Sequence, residues 1–522
     1  MPWNAKTAQG RINKLLEEVP DFDVQRFADY LPMYESRRIA AMARQEALSP
    51  PLFSLDRNKA VVVDTVQVYI NITNYEDYRL EDGQETENTH ARALSLLHLI
   101  YSAADRVIEN TAAQRVDFHS GRVHAVVLES GSQGITKETL AEALAFIEDF
   151  RQVAELANHK LAKGEFQVKF RIGVDVGTCV AINNGTGYEQ EPMFLGSAAN
   201  HAAKLADGDQ PGVYLSAHAK SLLGLPQPYL LSEYVGLSDP HISVNAARRN
   251  EVDQLVYGVQ DRSQFAEELI ANWQEEVRNG QFIDITNPDF RFCHKEPPLK
   301  DIDYVKLMPS ASIRMPLVSL FADLSGYTDY VDRAIAVGGI GDAVRALYVI
   351  RQEFQNVVEK DFQGRKVRFI GDCIHALIAE GTCTETDKRK SVSSAALCAG
   401  GLHSSFELCK ATLGGLEGMG LAVGLELGMT PVSRIGIRGE RSVRVASSTA
   451  TSISEKMQRE CADTGIKFGP DSLRAGPVAL EDLLNESGYQ SSLTYDDIAD
   501  CLSAPAATAA MPRYARAHLR CL

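Results

Sequence analysis

The stretch LFADLSGYTDY (320–330) is matched by VYINITNYEDY (68–78), 252 positions earlier in the same chain. Two further pairs hold nearly the same spacing: VRFIGDCIHA (367–376) with VDFHSGRVHA (116–125), and VGLELG (423–428) with IGVDVG (172–177). Three segments that keep one offset over roughly 100 residues mark a duplicated domain, and a repeat of this kind organises everything around it. The copies differ where chemistry is concerned. Asp323 and Asp372 of the second copy stand opposite Asn71 and Gly121 of the first.

Working outward, the β-branched run from Ala60 to Ile72 predicts a buried strand. The polar 79–90 stretch reads as a loop, and Ala91 to Asn110 carries apolar residues at helical spacing. Two strand-like runs then meet near His119-Ser120-Gly121, followed by a helix over 137–159, a strand over 166–182, and a helix from about 197. The second copy repeats the order: strand 315–324, helix 332–360, two strands within 366–379 joined at Gly371-Asp372, helix 389–413 and strand 420–430. This is α+β, two ferredoxin-like (βαββαβ) units forming a pseudo-symmetric pair, with helices expected on one face of each sheet. The divisions are a helical amino-terminal extension over 1–56, the first repeat over 57–262, a linker over 263–313 with a helix from Phe265 to Val277, the second repeat over 314–475, and a peripheral tail over 476–522. Within that tail SAPAATAA (503–510) reads as a mobile segment.

With 522 residues the chain is too long for one core, and its 45% hydrophobic and 23% charged composition is that of a globular protein. A formal charge of −16 repels polyanions, which argues against nucleic acid or an anionic membrane surface as partners. Nine cysteines without a C-x-x-C pair point to reduced thiols rather than a disulfide framework or a zinc site. The amino terminus lacks the apolar core of a signal peptide, and no stretch has the roughly 18 apolar residues of a membrane span. A soluble cytoplasmic protein is expected.

Asp323 follows an apolar strand and precedes Ser325-Gly326-Tyr327-Thr328, a small-residue turn able to aim backbone N–H groups at phosphate oxygens. Asp372 lies at the tip of a strand-turn-strand that pairs with the first strand, which sets the two carboxylates side by side. Taken alone, Gly371-Asp372 is a common hairpin turn and Asp323 a cap for the next element. A turn role does not explain why both are lost together in the first copy. Oxygen-only ligands of this kind suit Mg²⁺ or Mn²⁺, with phosphates completing the shell.

FADLSGYT (321–328) followed by FIGD (369–372) resembles the class III nucleotidyl cyclases, whose domains carry one metal Asp in a D-[IL]-S-G-[FY]-T segment and another in an I-G-D turn. The resemblance covers both repeats, roughly 57–262 and 314–475, and makes each a cyclase homology domain. It implies two divalent metal ions, Mn²⁺ or Mg²⁺, at Asp323, Leu324 and Asp372. It also implies a nucleoside triphosphate contacted by Leu324, Ser325, Gly326, Tyr327 and Thr328. In that family the partner domain supplies an Asn and an Arg; here LGSAANHAAKL (195–205) puts Asn200 and Lys204 at those positions. In the second copy SVRVASS (442–448) puts Arg444 and Ser448 there. One composite site and one metal-free twin follow, the twin holding Asn71, Gly121, Arg444 and Ser448. Apart from the resemblance, Asn200 also reads as a helix cap.

The base-selecting positions fall on Asp117 and Met193, which match neither the adenylate nor the guanylate pattern. An ionised Asp117 accepts only, so it suits a base edge presenting N–H. These departures resemble the stand-alone pyrimidine cyclases of bacterial anti-phage defence, with UTP slightly ahead of CTP. A purine cyclase and a catalytically silent nucleotide-binding regulator remain open, whereas the G-G-[DE]-E-F turn of a di-guanylate synthase is missing. The repeats could pair within one chain or across a homodimer.

Overall fold

The computed structural model describes residues 3–19, 21–46, 48–53, 55–131, 134–183, 191–225, 235–237, 262–280, 289–437 and 441–503. The first sheet contains β1 (Asp23–Arg26), β2 (Lys59–Ile72), β3 (Ala113–His119), β4 (Arg122–Leu128), β5 (Phe170–Asn183), β6 (Pro192–Leu195), β7 (Gly212–Leu215) and β8 (Val235–Leu237). The second contains β9 (Phe292–Cys293), β10 (Ser312–Ser325), β11 (Arg365–Ile370), β12 (Cys373–Ile378), β13 (Gly420–Ile435), β14 (Val443–Ala446), β15 (Gly465–Phe468) and β16 (Tyr489–Gln490). Their orders, β3-β4-β2-β5-β7-β8 and β11-β12-β10-β13-β15-β16, contain the same ferredoxin-like four-strand core. The duplication extends to detail. Both outer hairpins carry a register shift at equivalent places, between Arg115 and Asp117 and between Lys366 and Arg368.

Strand alternation sends Val66, Val68, Ile70 and Ile72 of β2 into one core with Leu97, Tyr101, Phe146 and Phe150 of the Glu87–Ile108 and Lys137–Leu161 helices. The same arrangement packs Val318, Leu320 and Ala322 of β10 against Leu347, Phe354, Leu402 and Phe406. Helices on one face describe only half of each sheet. The Ser197–Leu205 helix lies on the opposite face of β5, where a Cβ on Gly173 would sit 2.1 Å from the Ala202 carbonyl oxygen. Likewise the Thr449–Arg459 helix lies on β13, where a Cβ on Gly424 would sit 2.2 Å from the Gln458 nitrogen. The repeated IGVDVG and VGLELG segments are therefore strands whose glycines admit a helix at close range.

The two repeats are interlocked. Val180, Ile182, Met193 and Leu195 of the β5–β6 arm belong to the core of the second repeat, while Ile435, Val443 and Val445 of the β13–β14 arm belong to that of the first. The amino-terminal segment ties them further. Arg11 forks onto Glu353 and Asp361, and β1 pairs with β2 in parallel.

Several expectations need correction. The amino-terminal extension contains the strand Asp23–Arg26 between helices Ala5–Glu18 and Phe27–Ala43. The helix expected over 332–360 is two, Tyr327–Val337 and Ile340–Asn356, because Gly338 adopts φ +85° and ends the first with a left-handed cap. The Arg262–Arg278 helix, expected as part of a linker, buries Ile270 and Trp273 in the core of the first repeat. Nor is the tail peripheral over 479–503, since β16 pairs with β15, and Tyr495 and Ile498 are buried in the core. Residues 504–510 of the expected mobile segment lie outside the described residues.

Candidate active site

Asp323 is the third residue from the end of β10, and Asp372 occupies the turn between β11 and β12, where Gly371 takes φ +61°. The ladder pairs Ala322 with Ile374, so both half-buried carboxylates emerge at the same end of neighbouring strands. Burial raises Asp323 to about 6, with Arg459 opposing and Glu455 adding to the shift. Asp372 is pushed well above the usual carboxylate range by burial and then by Asp323 itself. Two carboxylates that hinder each other's ionisation are a donor set suited to a divalent cation, whose charge would relieve the repulsion. Among the described residues no group of three or more His, Cys, Asp or Glu side chains is placed to hold a metal. The chain would therefore bring this pair and leave the remaining positions to phosphate and main-chain oxygens.

The turn after Asp323 presents backbone donors. Gly326 adopts φ +81° and is the residue before the Tyr327–Val337 helix, so the unpaired N–H groups of the first turn open beside the carboxylates. Side chains there divide. Leu324 and Tyr327 are buried, and the Tyr327 hydroxyl donates to the Ala343 carbonyl at 3.2 Å, so its ring faces the core rather than a ligand. The Ser325 hydroxyl donates to the Ala462 carbonyl at 3.3 Å.

Thr328 is where the repeats meet. The Asn200 side-chain amide donates to its hydroxyl at 2.9 Å, and the Ser197 N–H donates to Asp332 at 3.1 Å. Asn200 is not a helix cap: Gly196 holds that position, and Asn200 lies a turn inside, exposed. Lys204 follows at i+4, on the same helix face and exposed.

The metal-free twin differs from the expectation. Ser448 is the buried N-cap of the Thr449–Arg459 helix, and Arg444 lies on β14 against Glu191. Close helix contacts on β5 and β13 align Ala202 with Ser454 and Ala206 with Gln458, which makes Ser452 and Lys456 the counterparts of Asn200 and Lys204. Ser452 accepts from Arg79 at 3.0 Å, mirroring the Asn200–Thr328 contact.

Between the two hairpins runs a cleft lined by Asp117 and Met193 of the first repeat and Arg368, Phe369, Gly371 and Arg444 of the second. Asp117 is not the free acceptor expected. One oxygen accepts from Arg368 at 2.5 Å and the other lies 2.7 Å from His119 Nδ1. Burial would raise this carboxyl, but Arg368 and then His119 hold it far below its usual range. Met193 is buried, its sulfur 2.6 Å from Arg351 Nη1. The cleft and the carboxylate pair adjoin, since the half-buried Tyr69 phenol, raised chiefly by burial, is raised further by Asp117 and, more weakly, by Asp372.

Residues the sequence did not single out complete the surroundings. Gln458 approaches Asp323 at 3.4 Å, and Glu455 bridges Arg122 of the first repeat and Arg459 at 2.5 Å each. Burial works against ionisation of Glu455, yet those arginines lower it to about 2. No offset or motif marks them, because their partners sit in the other repeat or on the helix face against β13.

Known proteins share this architecture over nearly its whole length. A protein named uridylate cyclase from a Rhizobium species is 39% identical over 514 residues, 97% of this chain and 96% of that protein. Another of the same name from Pseudomonas aeruginosa is 34% identical over 96% of this chain and 91% of its own. A crystal structure described as a class III adenylyl cyclase-like ATP-binding protein from Pseudomonas aeruginosa superposes with a TM-score of 0.82 at 32% identity, covering 96% of this chain and 99% of that one. No family model matches the chain.

Proposed function

The chain belongs to the class III nucleotidyl cyclase family, and from that premise we propose that it converts UTP to 3′,5′-cyclic UMP and pyrophosphate at one composite site between its repeats. The observation that carries this reading is the Asn200–Thr328 contact, which sets a side chain of the repeat lacking the carboxylates on the turn that bears them. The uracil preference draws on the names of the two full-length relatives. In this reading the first repeat, with the Arg262–Arg278 helix packed in its core, forms the metal-free half, and the second, with Tyr495 and Ile498 packed in its core, the metal-binding half.

Cyclisation forms a bond between the ribose 3′-oxygen and the α-phosphorus, breaks the bond from that phosphorus to the β-phosphate oxygen, and releases the 3′-hydroxyl proton and pyrophosphate. Two Mn²⁺ or Mg²⁺ ions held by Asp323, Asp372 and the main chain at Leu324 would supply charge neutralisation and a more acidic 3′-hydroxyl. The protein's own part is placement. Backbone N–H groups from Ser325 to Thr328 would bind phosphate oxygens, Asn200 would fix the ribose, and Lys204 would face the negative charge gathering on the transferring phosphoryl group. Lysine keeps that charge but lacks the planar fork of arginine, so its contact is less directional. As in the pyrimidine cyclases the sequence resembles, the product would be a cytoplasmic second messenger of anti-phage defence.

The description of the Pseudomonas aeruginosa neighbour as ATP-binding favours a second reading, a purine cyclase or nucleotide-binding regulator. Incubation with each of the four common nucleoside triphosphates and Mn²⁺, with products identified by mass, separates these readings. Cyclic UMP from UTP is expected; cyclic AMP or cyclic GMP alone supports a purine cyclase, and no cyclic product supports the regulator.

A further inference from the structure

Behind the cleft lies a cation that the proposed chemistry does not use. Arg351, on the Ile340–Asn356 helix, is 1% exposed, with its guanidinium 3.8 Å over the Phe369 ring. Nη1 points to the Met193 sulfur, a weak acceptor, and Nε and Nη2 make no hydrogen bond. The nearest carboxylate, Glu191, is 3.6 Å from Nη2 and already takes Lys366 at 3.2 Å and Arg444 at 3.1 Å. Arg351 thus has only a share of one carboxylate and no oxygen acceptor of its own, an arrangement costly to maintain for stability alone.

The three groups touching Arg351 all line the cleft: Glu191, Met193 and Phe369. Tyr327 and, more weakly, Asp372 lie within electrostatic reach of the arginine. Met193 is the adaptable member of the wall, because an unbranched thioether changes rotamer readily. Its displacement would exchange a sulfur acceptor for a ligand's oxygen.

We infer that Arg351 determines base specificity by donating to O4 of the pyrimidine in the cleft. A guanidinium is a donor only. Uracil presents O4 as an acceptor, whereas cytosine carries an amino group on the same carbon, and adenine one on C6, that would meet Arg351 donor to donor. A site built around a polar contact rejects the analogue lacking it far more strongly than an apolar wall does. The inference rests on the uridylate reading and adds the residue that would enforce it.

The test compares kcat/KM for UTP and CTP in full-length wild type, Arg351→Gln and Met193→Glu. Glutamine both donates and accepts, and a glutamate at 193 would pair with Arg351 and occupy it without altering the buried arginine. Each variant should narrow the preference for UTP over CTP in kcat/KM by at least about tenfold, mainly through a raised KM for UTP. Parallel losses on both substrates, or an unchanged preference, overturn the inference and leave the uridylate reading intact. A wild type that prefers another nucleotide overturns both. Should Arg351→Gln fail to fold, Met193→Glu decides the matter alone.

Discussion

At the residue scale the carboxylate pair sets function against stability. Burial raises Asp323 to about 6, and burial together with Asp323 holds Asp372 well above the usual carboxylate range. A carboxyl raised in the folded state gives stability that is full below its unfolded value near 4 and is lost as pH climbs through the folded value. The metal-free protein should therefore melt at lower temperature at pH 7.5 than at pH 5.5 as far as this pair is concerned. Mn²⁺ should raise the melting temperature more at pH 7.5, where it meets fewer protons. Asp372→Asn removes the repulsion, so it should raise the metal-free melting temperature at pH 7.5 by a few degrees while abolishing cyclase activity and the Mn²⁺ response. A destabilised Asp372→Asn would mean that the carboxylates are not in conflict. Asn200→Ala should cost only about 1 kcal/mol of stability through the lost Thr328 contact, yet lower kcat by about 100-fold or more. Asn71→Ala, at the metal-free twin, should leave kcat within about twofold of wild type. The Asp pair and Asn200 were legible in the sequence because short motifs carry them. The Arg368–Asp117 pair was not, since its members occupy equivalent positions of different repeats, and only the packed structure brings them together.

Among the elements, the helices on the second face of each sheet matter most to the site. Repetition announced the IGVDVG and VGLELG segments, but their meaning depends on a helix packed where a side chain would otherwise stand. Matching SVRVASS to LGSAANHAAKL misassigned the twin site because Arg444 and Ser448 belong to β14 and the cap ahead of the Thr449–Arg459 helix, whereas Asn200 and Lys204 lie inside the helix that corresponds to it. The helix boundary at Gly338-Gly339 was similarly hidden, because apolar periodicity continues across it. Gly424→Ala tests the packing argument. Its Cβ would meet the backbone of both Ser454 and Gln458 at 2.2 Å, so the helix must shift, at a cost of about 1–3 kcal/mol. As Gln458 and Glu455 ride on that helix, Mn²⁺ stabilisation measured by thermal melting should weaken as well. Gly418→Ala, where a Cβ meets nothing within 4 Å, should change neither.

For the whole molecule the decisive property is closure of the two repeats on each other within one chain. The β5–β6 and β13–β14 arms exchange core residues, and Arg122–Glu455, Asp117–Arg368 and Asn200–Thr328 span the same boundary. Such an interface, apolar at its core and crossed by half-buried ion pairs, has the character of an obligate one. The first half lacks the carboxylates and the second has Ser452 where the first has Asn200, a division between halves of one chain that calls for no second subunit. It follows that chains carrying Asp323→Ala and chains carrying Asn200→Ala, each inactive alone, should stay inactive when mixed, co-expressed, or unfolded and refolded together. A site assembled between two chains would instead give heterodimers holding one intact pair of contributions, and a measurable fraction of wild-type cyclic nucleotide would return. Specific activity of the wild type should also stay constant on dilution, whereas a site shared between chains would lose activity below the dimer dissociation constant. Restored activity in the mixture would place Asn200 and Asp323 of the working site on different chains.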